Sequence, residues 1–121
     1  PAVQVYYAFD EALNELMEEG IAKRILRYKK VATLIRDRMA KLGVKPLLTP
    51  DKLSNTITAY YLPEGVTYPS LHDRLKEQGY VIYAGQGQLQ SKIFRVANMG
   101  ALTEAQLGGF LDAFERICGT A

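Results

Sequence analysis

Residues 93–100 read I-F-R-V-A-N-M-G, and the rest of the chain can be arranged around this stretch. An apolar run is interrupted once, by Arg95, and is closed by an Asn-x-Gly sequence. Side chains alternate between the two faces of a strand, which predicts Phe94, Val96 and Asn98 on one face and Arg95 on the other. A guanidinium group among apolar neighbours is costly to desolvate unless an anion meets it. The stretch therefore predicts a core strand that carries one cation.

Two interpretations of Arg95 are open at this point. The planar guanidinium can hold a carboxylate with two parallel hydrogen bonds, which would make Arg95 part of a site for an anionic ligand. Alternatively, Arg95 pairs with an Asp or Glu of the chain, or extends into solvent from an edge strand. The pattern alone favours the second, structural interpretation.

The composition is that of a single globular domain. The chain has 121 residues, of which 48% are hydrophobic and 23% charged, and its net charge is only +2. This balance predicts binding neither to nucleic acid nor to a membrane surface. One cysteine excludes an internal disulfide framework, which is consistent with a reducing compartment. No apolar run approaches the roughly 18 residues of a membrane span, and no basic-then-apolar leader is present in these residues.

Hydrophobic periodicity predicts seven elements in the order helix, helix, strand, helix, strand, strand, helix. The strongest is a helix over residues 21–42, whose apolar positions recur three and four apart and which Gly43 ends. The other predicted elements are a helix over 6–18, a strand over 56–62, a short helix over 70–78, strands over 80–83 and 93–98, and a last helix that begins at Thr103 with a capping box to Gln106. This order favours an α+β two-layer sandwich with a small, mainly antiparallel sheet covered by helices on one side.

Few residues offer chemistry of their own. The helix over 21–42 carries more than half of the Lys and Arg residues, but its one aromatic residue, Tyr28, belongs to the apolar face. No series of aromatic residues is available for base stacking, so nucleic-acid binding is not expected. His72 is the only histidine and is interpreted as a surface residue, while Cys118 lies on an apolar helical face and is interpreted as structural. No catalytic nucleophile, acid/base pair or metal-ligand cluster is predicted.

The loop after the strand over 80–83 reads G-Q-G-Q, from Gly85 through Gln86 and Gly87 to Gln88. No Gly-Lys-Ser/Thr sequence or third glycine follows in the spacing of a phosphate-binding loop. The loop is therefore either a flexible connector or a segment whose backbone approaches a ligand closely.

A family resemblance rests on residues 80–100, Y-V-I-Y-A-G-Q-G-Q-L-Q-S-K-I-F-R-V-A-N-M-G. This stretch resembles the C-terminal small domain of the class V pyridoxal-phosphate aminotransferases, in the 2-aminoethylphosphonate–pyruvate transaminase and alanine–glyoxylate (serine–pyruvate) aminotransferase branch. Four further segments are similar to the same domain: V-Q-V-Y-Y-A-F-D-E-A-L at 3–13, E-E-G at 18–20, S-N-T-I-T at 54–58 and L-T-E at 102–104. The resemblance covers essentially all of the chain, residues 1–121.

The resemblance implies that Arg95 binds the carboxylate of an amino- or keto-acid substrate such as pyruvate or glyoxylate. It places the loop of Gly85, Gln86, Gly87 and Gln88 at a candidate substrate entrance. The implied reaction moves an amino group from an amino acid or 2-aminoethylphosphonate to a small 2-oxo acid, in the cytoplasm, with pyridoxal 5′-phosphate as cofactor.

In this family the cofactor lysine, the aspartate that pairs with the pyridinium nitrogen and the phosphate-binding loop precede this domain. We therefore expect a fragment, with residues 1–20 as the helix that leads from a missing cofactor domain. The fragment is expected to bind no cofactor by itself and to be inactive.

Two other interpretations stand beside the aminotransferase fragment. The first is a free-standing module that binds a small molecule or a protein and uses Arg95 as an anion site. The second, a cysteine desulfurase, is disfavoured because Cys118 lies on a helix rather than in a reactive loop. In the family the first helix packs against the large domain and the partner subunit, so Tyr6, Phe9 and Leu13 are expected to be exposed here. Exposure of that face predicts homodimer formation, self-association or marginal stability.

Overall fold

The computed structural model describes residues 1–119. Four helices and three strands follow one another in the predicted order. Their bounds are α1 Val3–Glu19, α2 Ile21–Lys41, β1 Ile57–Tyr61, α3 Tyr68–Glu77, β2 Tyr83–Ala84, β3 Ile93–Ala97 and α4 Glu104–Cys118. Short 3-10 turns lie at Pro50–Lys52 and Gly87–Leu89.

The three strands form one antiparallel sheet in the order β1-β3-β2. One face of the sheet packs against α2, α3 and α4, and this layer holds the hydrophobic core. Phe94 stacks on Tyr60 of β1 at a ring-centroid distance of 5.6 Å and on Phe114 of α4 at 5.5 Å. The predicted α+β two-layer architecture is confirmed, with β3 as its central strand.

The predicted face of β3 is also confirmed, because Phe94, Val96 and Asn98 are all buried. Asn98 is 5% exposed, and its amide Nδ2 donates a hydrogen bond of 2.9 Å to the carbonyl oxygen of Asn55. Its backbone N–H donates to the Thr56 carbonyl at 2.9 Å. Asn98 therefore joins the end of β3 to the start of β1, and its polar side chain is satisfied within the core.

The predicted strand over 80–83 is wrong in extent, because only Tyr83–Ala84 pairs with β3. The backbone N–H of Tyr80 instead donates to the Leu75 carbonyl at 3.0 Å and completes the end of α3, beside Gly79 with a φ of +87°. The Ile82 carbonyl accepts a hydrogen bond from the Tyr68 hydroxyl at 3.0 Å. These groups serve the helix and its packing, so they are not available to extend the sheet.

The start of α3 also differs from the predicted residue 70. Thr67 is the N-cap and its hydroxyl accepts from the Ser70 N–H, while Tyr68 and Pro69 already lie in the first helical turn. Proline is tolerated there because an N–H in the first turn has no acceptor within the helix. The capping box predicted for the last helix is confirmed, since Thr103 and Gln106 bond reciprocally.

Helix α1 packs on α2 at its C-terminal end and contains no buried residue. Tyr6, Phe9 and Leu13 are 70%, 61% and 42% exposed, as expected from the sequence. Gly20, with a φ of +84°, separates α1 from α2.

The junction between α1 and α2 is held by a shared carboxylate. The Glu19 carboxylate accepts from Arg24 Nε at 2.5 Å and from Arg27 Nε and Nη2 at 2.5 and 3.0 Å. Arg27, and then Arg24, lower the pKa of Glu19 from 4.5 to about 2. Arg27 Nη1 also donates to the Gly100 carbonyl at 3.2 Å, and the Gly100 N–H donates to the Tyr28 hydroxyl at 2.9 Å. The loop that follows β3 is thereby attached to α2.

Candidate functional site

Arg95 lies in the middle of the central strand, on the face of the sheet that the helices do not cover. Its cross-strand neighbours are Ala59 on β1 and Tyr83 on β2. Ala59 is small, and Tyr83 is 59% exposed. Directly opposite residues in an antiparallel pair lie on the same face. Arg95 is thus bordered by a methyl group on one side and by an exposed phenol on the other.

The guanidinium group of Arg95 is held at one nitrogen only. Its Nε donates a hydrogen bond of 2.9 Å to the Ala84 carbonyl oxygen. Within residues 1–119 its two terminal nitrogens have no hydrogen-bond partner, and no carboxylate lies within 4.0 Å of the group. The structural interpretation offered either an ion pair with an Asp or Glu or extension into solvent from an edge strand. Within residues 1–119 the ion pair is not formed, and β3 is the central strand of the sheet rather than an edge. Arg95 presents an oriented Nη1/Nη2 edge, which matches the two oxygens of a carboxylate.

The loop predicted as a substrate entrance divides into two parts. Gly85 is buried, whereas Gln86, Gly87 and Gln88 are exposed. The backbone reverses at Gly87, where φ is +54°, and then forms the 3-10 turn Gly87–Leu89. The turn is three residues long and carries no helix N-terminus that could serve as a phosphate site. Nothing in the local sequence predicts that Gly85 is packed beneath its own loop.

The other chemistry-bearing residues have structural environments. His72 Nδ1 lies 2.9 Å from Asp73 Oδ1, and its ring lies 5.6 Å from that of Tyr68, so it is only partly exposed rather than a free surface residue. Cys118 is half-buried on α4, and burial raises the pKa of its thiol, which disfavours the nucleophilic thiolate. No group of three or more His, Cys, Asp or Glu residues within 1–119 could hold a metal ion.

Five of the eight basic residues of α2 bind acidic side chains or backbone carbonyls of the same chain, namely Arg24, Arg27, Lys30, Arg36 and Arg38. Arg38 pairs with Asp112 at 2.9 Å and with Glu115 at 2.8 Å, which fastens α2 to α4. Lys30 pairs with Glu104. Together with the arginines bound to Glu19, these pairs account for much of the positive charge that the sequence concentrates on this helix.

The residues of this chain do not fit the anchoring of pyridoxal phosphate. A Schiff-base lysine needs a desolvated amine in a pocket. All eight lysines of the chain are exposed: Lys23, Lys29, Lys30, Lys41, Lys45, Lys52, Lys76 and Lys92. Among residues 1–119, no lysine is therefore placed to hold that cofactor.

A cavity of about 320 Å³ lies between the segment after α3, β3 and the start of α4. Tyr80, Val96, Leu107 and Phe110 are among its lining residues, and Arg95 is not. Most of its lining residues are apolar. Because Arg95 does not line this cavity, the guanidinium edge of Arg95 is separate from it. Among residues 1–119, no helix is both long and apolar enough to cross a membrane.

No family model matches the chain. Individual relatives do match. The chain is 42% identical over 114 residues to the 2-aminoethylphosphonate–pyruvate transaminase of Aeromonas hydrophila, an alignment that covers 92% of this chain and 30% of the relative. It is 37% identical over 111 residues to the enzyme of the same name from Klebsiella pneumoniae, covering 89% of this chain and 30% of the relative. The chain thus spans about 30% of the length of the curated relatives it matches.

Solved structures share the fold. The alanine–glyoxylate aminotransferase of Nostoc sp. superposes with a TM-score of 0.89 at 26% identity, over 96% of this chain and 31% of that chain. The pyridoxamine–pyruvate aminotransferase of Mesorhizobium loti superposes with a TM-score of 0.87 at 23% identity, over all of this chain and 32% of that one. The predicted resemblance to the C-terminal part of aminotransferases is therefore confirmed.

Proposed function

We propose that this chain is the C-terminal domain of a pyridoxal-phosphate-dependent aminotransferase in which Arg95 binds the anionic group of the substrate. The observation that carries this proposal is the Nη1/Nη2 edge of Arg95, oriented through Nε and unpaired within residues 1–119. The relatives at 37% and 42% identity favour 2-aminoethylphosphonate as amino donor and pyruvate as acceptor. The two species of the 2-oxo acid half-reaction, pyruvate and alanine, both carry a carboxylate that the guanidinium edge can bind.

The contribution of this chain is binding and orientation. Two parallel hydrogen bonds from Arg95 would fix the carboxylate and thereby the carbonyl carbon next to it. The exposed phenol of Tyr83 and the methyl group of Ala59 border the same edge, so the ligand would lie against the uncovered face of the sheet. The cofactor, when bound by the remaining part of the enzyme, supplies the electron sink for amino transfer.

The test is a substitution of Arg95 in the full-length protein that contains this chain. A hydrogen bond to a charged group contributes about 1.5–3 kcal/mol, so loss of two of them in Arg95→Gln should lower kcat/KM for pyruvate by about 100-fold or more. Lys41→Gln, which removes one positive charge at an exposed position near the end of α2, is the matched control and should change kcat/KM less than about twofold. An Arg95→Gln enzyme with unchanged kcat/KM would refute the assigned role.

The expectation that this chain lacks a cofactor site of its own is tested on the chain alone. Pyridoxal phosphate is added, absorbance is followed in the internal-aldimine region, and borohydride trapping is followed by mass analysis. We expect no stoichiometric adduct, because an exposed lysine in water is not activated for Schiff-base formation. A single lysine labelled at one equivalent would show that residues 1–121 build a cofactor site.

A further inference from the structure

The carbonyl group that orients Arg95 belongs to a peptide unit with a fixed direction. The N–H of Gly85 donates to the Ile93 carbonyl at 3.2 Å, and so points toward β3. In a trans peptide the carbonyl and the N–H point in opposite directions, and the described chain contains no cis peptide bond. The Ala84 carbonyl therefore points away from β3. The side chain of Arg95 must extend across β2 to donate to it.

The same peptide unit is fixed by close packing at Gly85. A Cβ atom built at this position would lie 2.6 Å from Ile93 Cγ1 and 2.7 Å from the Leu89 carbonyl carbon, and still closer to the Leu89 carbonyl oxygen. Real Cβ contacts are not this short, and two of these three atoms, including the nearest one, belong to the Leu89 backbone, which cannot simply rotate away. The Leu89 carbonyl is itself held in the turn, where it accepts a hydrogen bond of 3.0 Å from the Lys92 N–H. Only glycine fits here.

We propose that Gly85 is a positioning residue for Arg95, which acts by allowing the Leu89 backbone to pack on the Ala84–Gly85 peptide and so fixes the carbonyl that binds Nε. This inference rests on the proposed function, and assigns to Gly85 a role different from that of a substrate-entrance residue. A methyl group at position 85 pushes the loop away, tilts the peptide unit and releases the guanidinium group. With Nε occupied by Ala84, the ligand is bound through Nη1 and Nη2.

The consequence for binding is a loss of preorganisation. An arginine side chain has several freely rotating bonds, and holding it in one geometry costs rotamer entropy. The hydrogen bond to Ala84 restricts the rotamers of Arg95 before the ligand binds, so less side-chain entropy is lost on binding. Without it, the same cation is present in the same strand, but it binds an anion less tightly.

The experiment uses the ¹⁵N-labelled chain and observes the Nε–Hε signal of Arg95, assigned by its disappearance in Arg95→Lys. In the native chain we expect slow exchange of this proton with solvent and a shift of the signal on addition of pyruvate. In Gly85→Ala the exchange should be at least about tenfold faster. The affinity for pyruvate should fall about fivefold or more, while the amide signals of α2 and α4 are retained.

Gly108→Ala is the matched control, because a Cβ atom at Gly108 has no neighbour within 4 Å. It should leave the Arg95 signal and its response to pyruvate unchanged. A second variant, Leu89→Gly, adds no atom at position 85 but gives the loop backbone at residue 89 more conformational freedom, and should also accelerate Hε exchange. It decides the question if Gly85→Ala does not fold.

The outcomes separate this inference from the proposed function. Retained Hε protection and retained pyruvate binding in Gly85→Ala, or retained protection in Leu89→Gly where Gly85→Ala does not fold, would overturn the positioning role. If the native Hε is protected and both variants release it, yet pyruvate shifts no Arg95 signal even in the native chain, the positioning role stands. In that case residues 1–121 do not bind pyruvate by themselves, and the role of Arg95 in substrate binding is decided by the kcat/KM of Arg95→Gln in the full-length enzyme.

Discussion

Helices α1 and α4 have similar lengths and comparable amphipathic patterns, yet they differ completely in burial. Helix α1 has 17 residues and buries none, whereas α4 has 15 residues and buries six. The buried residues of α4 are Leu107, Phe110, Leu111, Ala113, Phe114 and Ile117. Their ends differ as well, because α4 begins with a capping box and α1 has no side-chain cap.

This difference shows what periodicity can and cannot establish. A repeat of three and four residues predicts that a helix has an apolar face, but it carries no information about what covers that face. For α4 the cover is the sheet of the same chain, through the stacking of Phe114 on Phe94. For α1 no described residue supplies it along most of its length. Helices in proteins owe most of their stability to such packing.

The largest expected effect on the free energy of unfolding comes from the same substitution, Phe to Ala, made in each of the two helices. Phe114→Ala leaves a cavity in the core and should lower the free energy of unfolding by about 3–5 kcal/mol. Phe9→Ala, at an exposed position of α1, should change it by no more than about 0.5 kcal/mol. Urea unfolding of both variants measures the difference. Comparable losses would mean that the α1 face is covered in solution.

The N-terminal caps provide a second and smaller contrast. Thr103→Ala removes the hydroxyl that accepts from the Gln106 N–H and should lower the free energy of unfolding by about 1 kcal/mol. Ala2→Gly, at the N-cap position of α1, should have no measurable effect, because Ala2 makes no side-chain cap and α1 contributes little to the folded core. Thermal unfolding at one protein concentration compares the two. An equal decrease would indicate that α1 unfolds cooperatively with the sandwich.

The pH dependence of the α1–α2 junction is the third prediction. The pKa of Glu19 is lowered from 4.5 to about 2 by its two arginines, so the charged carboxylate favours the closed junction above pH 4.5. Below this pH, Glu19 is protonated first in molecules in which it has separated from its two arginines. The preference is therefore lost progressively as the pH falls from 4.5 toward 2. Amide exchange along α1, measured relative to the intrinsic exchange rate at each pH, should accelerate in this window.

Glu19→Gln is the control for this titration, since it removes the ionisable group without changing its size. It should show fast exchange in α1 already at neutral pH and should lose the added acceleration between pH 4.5 and 2. If exchange in α1 of the native chain shows no pH effect beyond that of the intrinsic rate, the ionisation of Glu19 does not stabilise the α1–α2 junction.

The smallest expected effect on the free energy of unfolding belongs to the exposed face of α1, although it should be visible in assembly. Tyr6→Ser together with Phe9→Ser removes two of its exposed aromatic rings. If this face drives self-association, the weight-average mass in sedimentation should increase with concentration for the native chain. For the double variant it should stay at the mass of the monomer. A native chain that stays monomeric at high concentration and melts sharply would contradict the expectation.

The elements that the sequence predicted well are those fixed by local chemistry. The apolar repeat and the terminal glycine predicted α2, and the Thr103–Gln106 pair predicted the start of α4, because helix ends are determined by nearby side chains. The shortening of β2 was not predictable from its apolar residues. Tyr80, at the start of the predicted strand, instead donates its backbone N–H to the end of α3. A composition that favours β structure does not reveal this competition for backbone groups.

The candidate site was predictable only in its charged residue. Arg95 stands out because it is a cation within an apolar strand, and its face follows from alternation. Its hydrogen bond to Ala84 and the packing of Gly85 against Leu89 depend on how the 85–92 loop folds back on the strand ends. Both are properties of tertiary structure. The likeness to aminotransferases came instead from residues 80–100 read together.

The sharing of Glu19 between two arginines has a consequence for the design of shorter chains. A recombinant chain that begins at Ile21 would remove the exposed apolar face of α1, and it would also remove the carboxylate that Arg24 and Arg27 share. Arg24, at the end of the first turn of α2, would then have no such partner at the end of the helix where the macrodipole is positive and disfavours a cation. A start at Glu18 keeps the shared carboxylate, and a start at Ile21 calls for an acidic residue in place of Arg24.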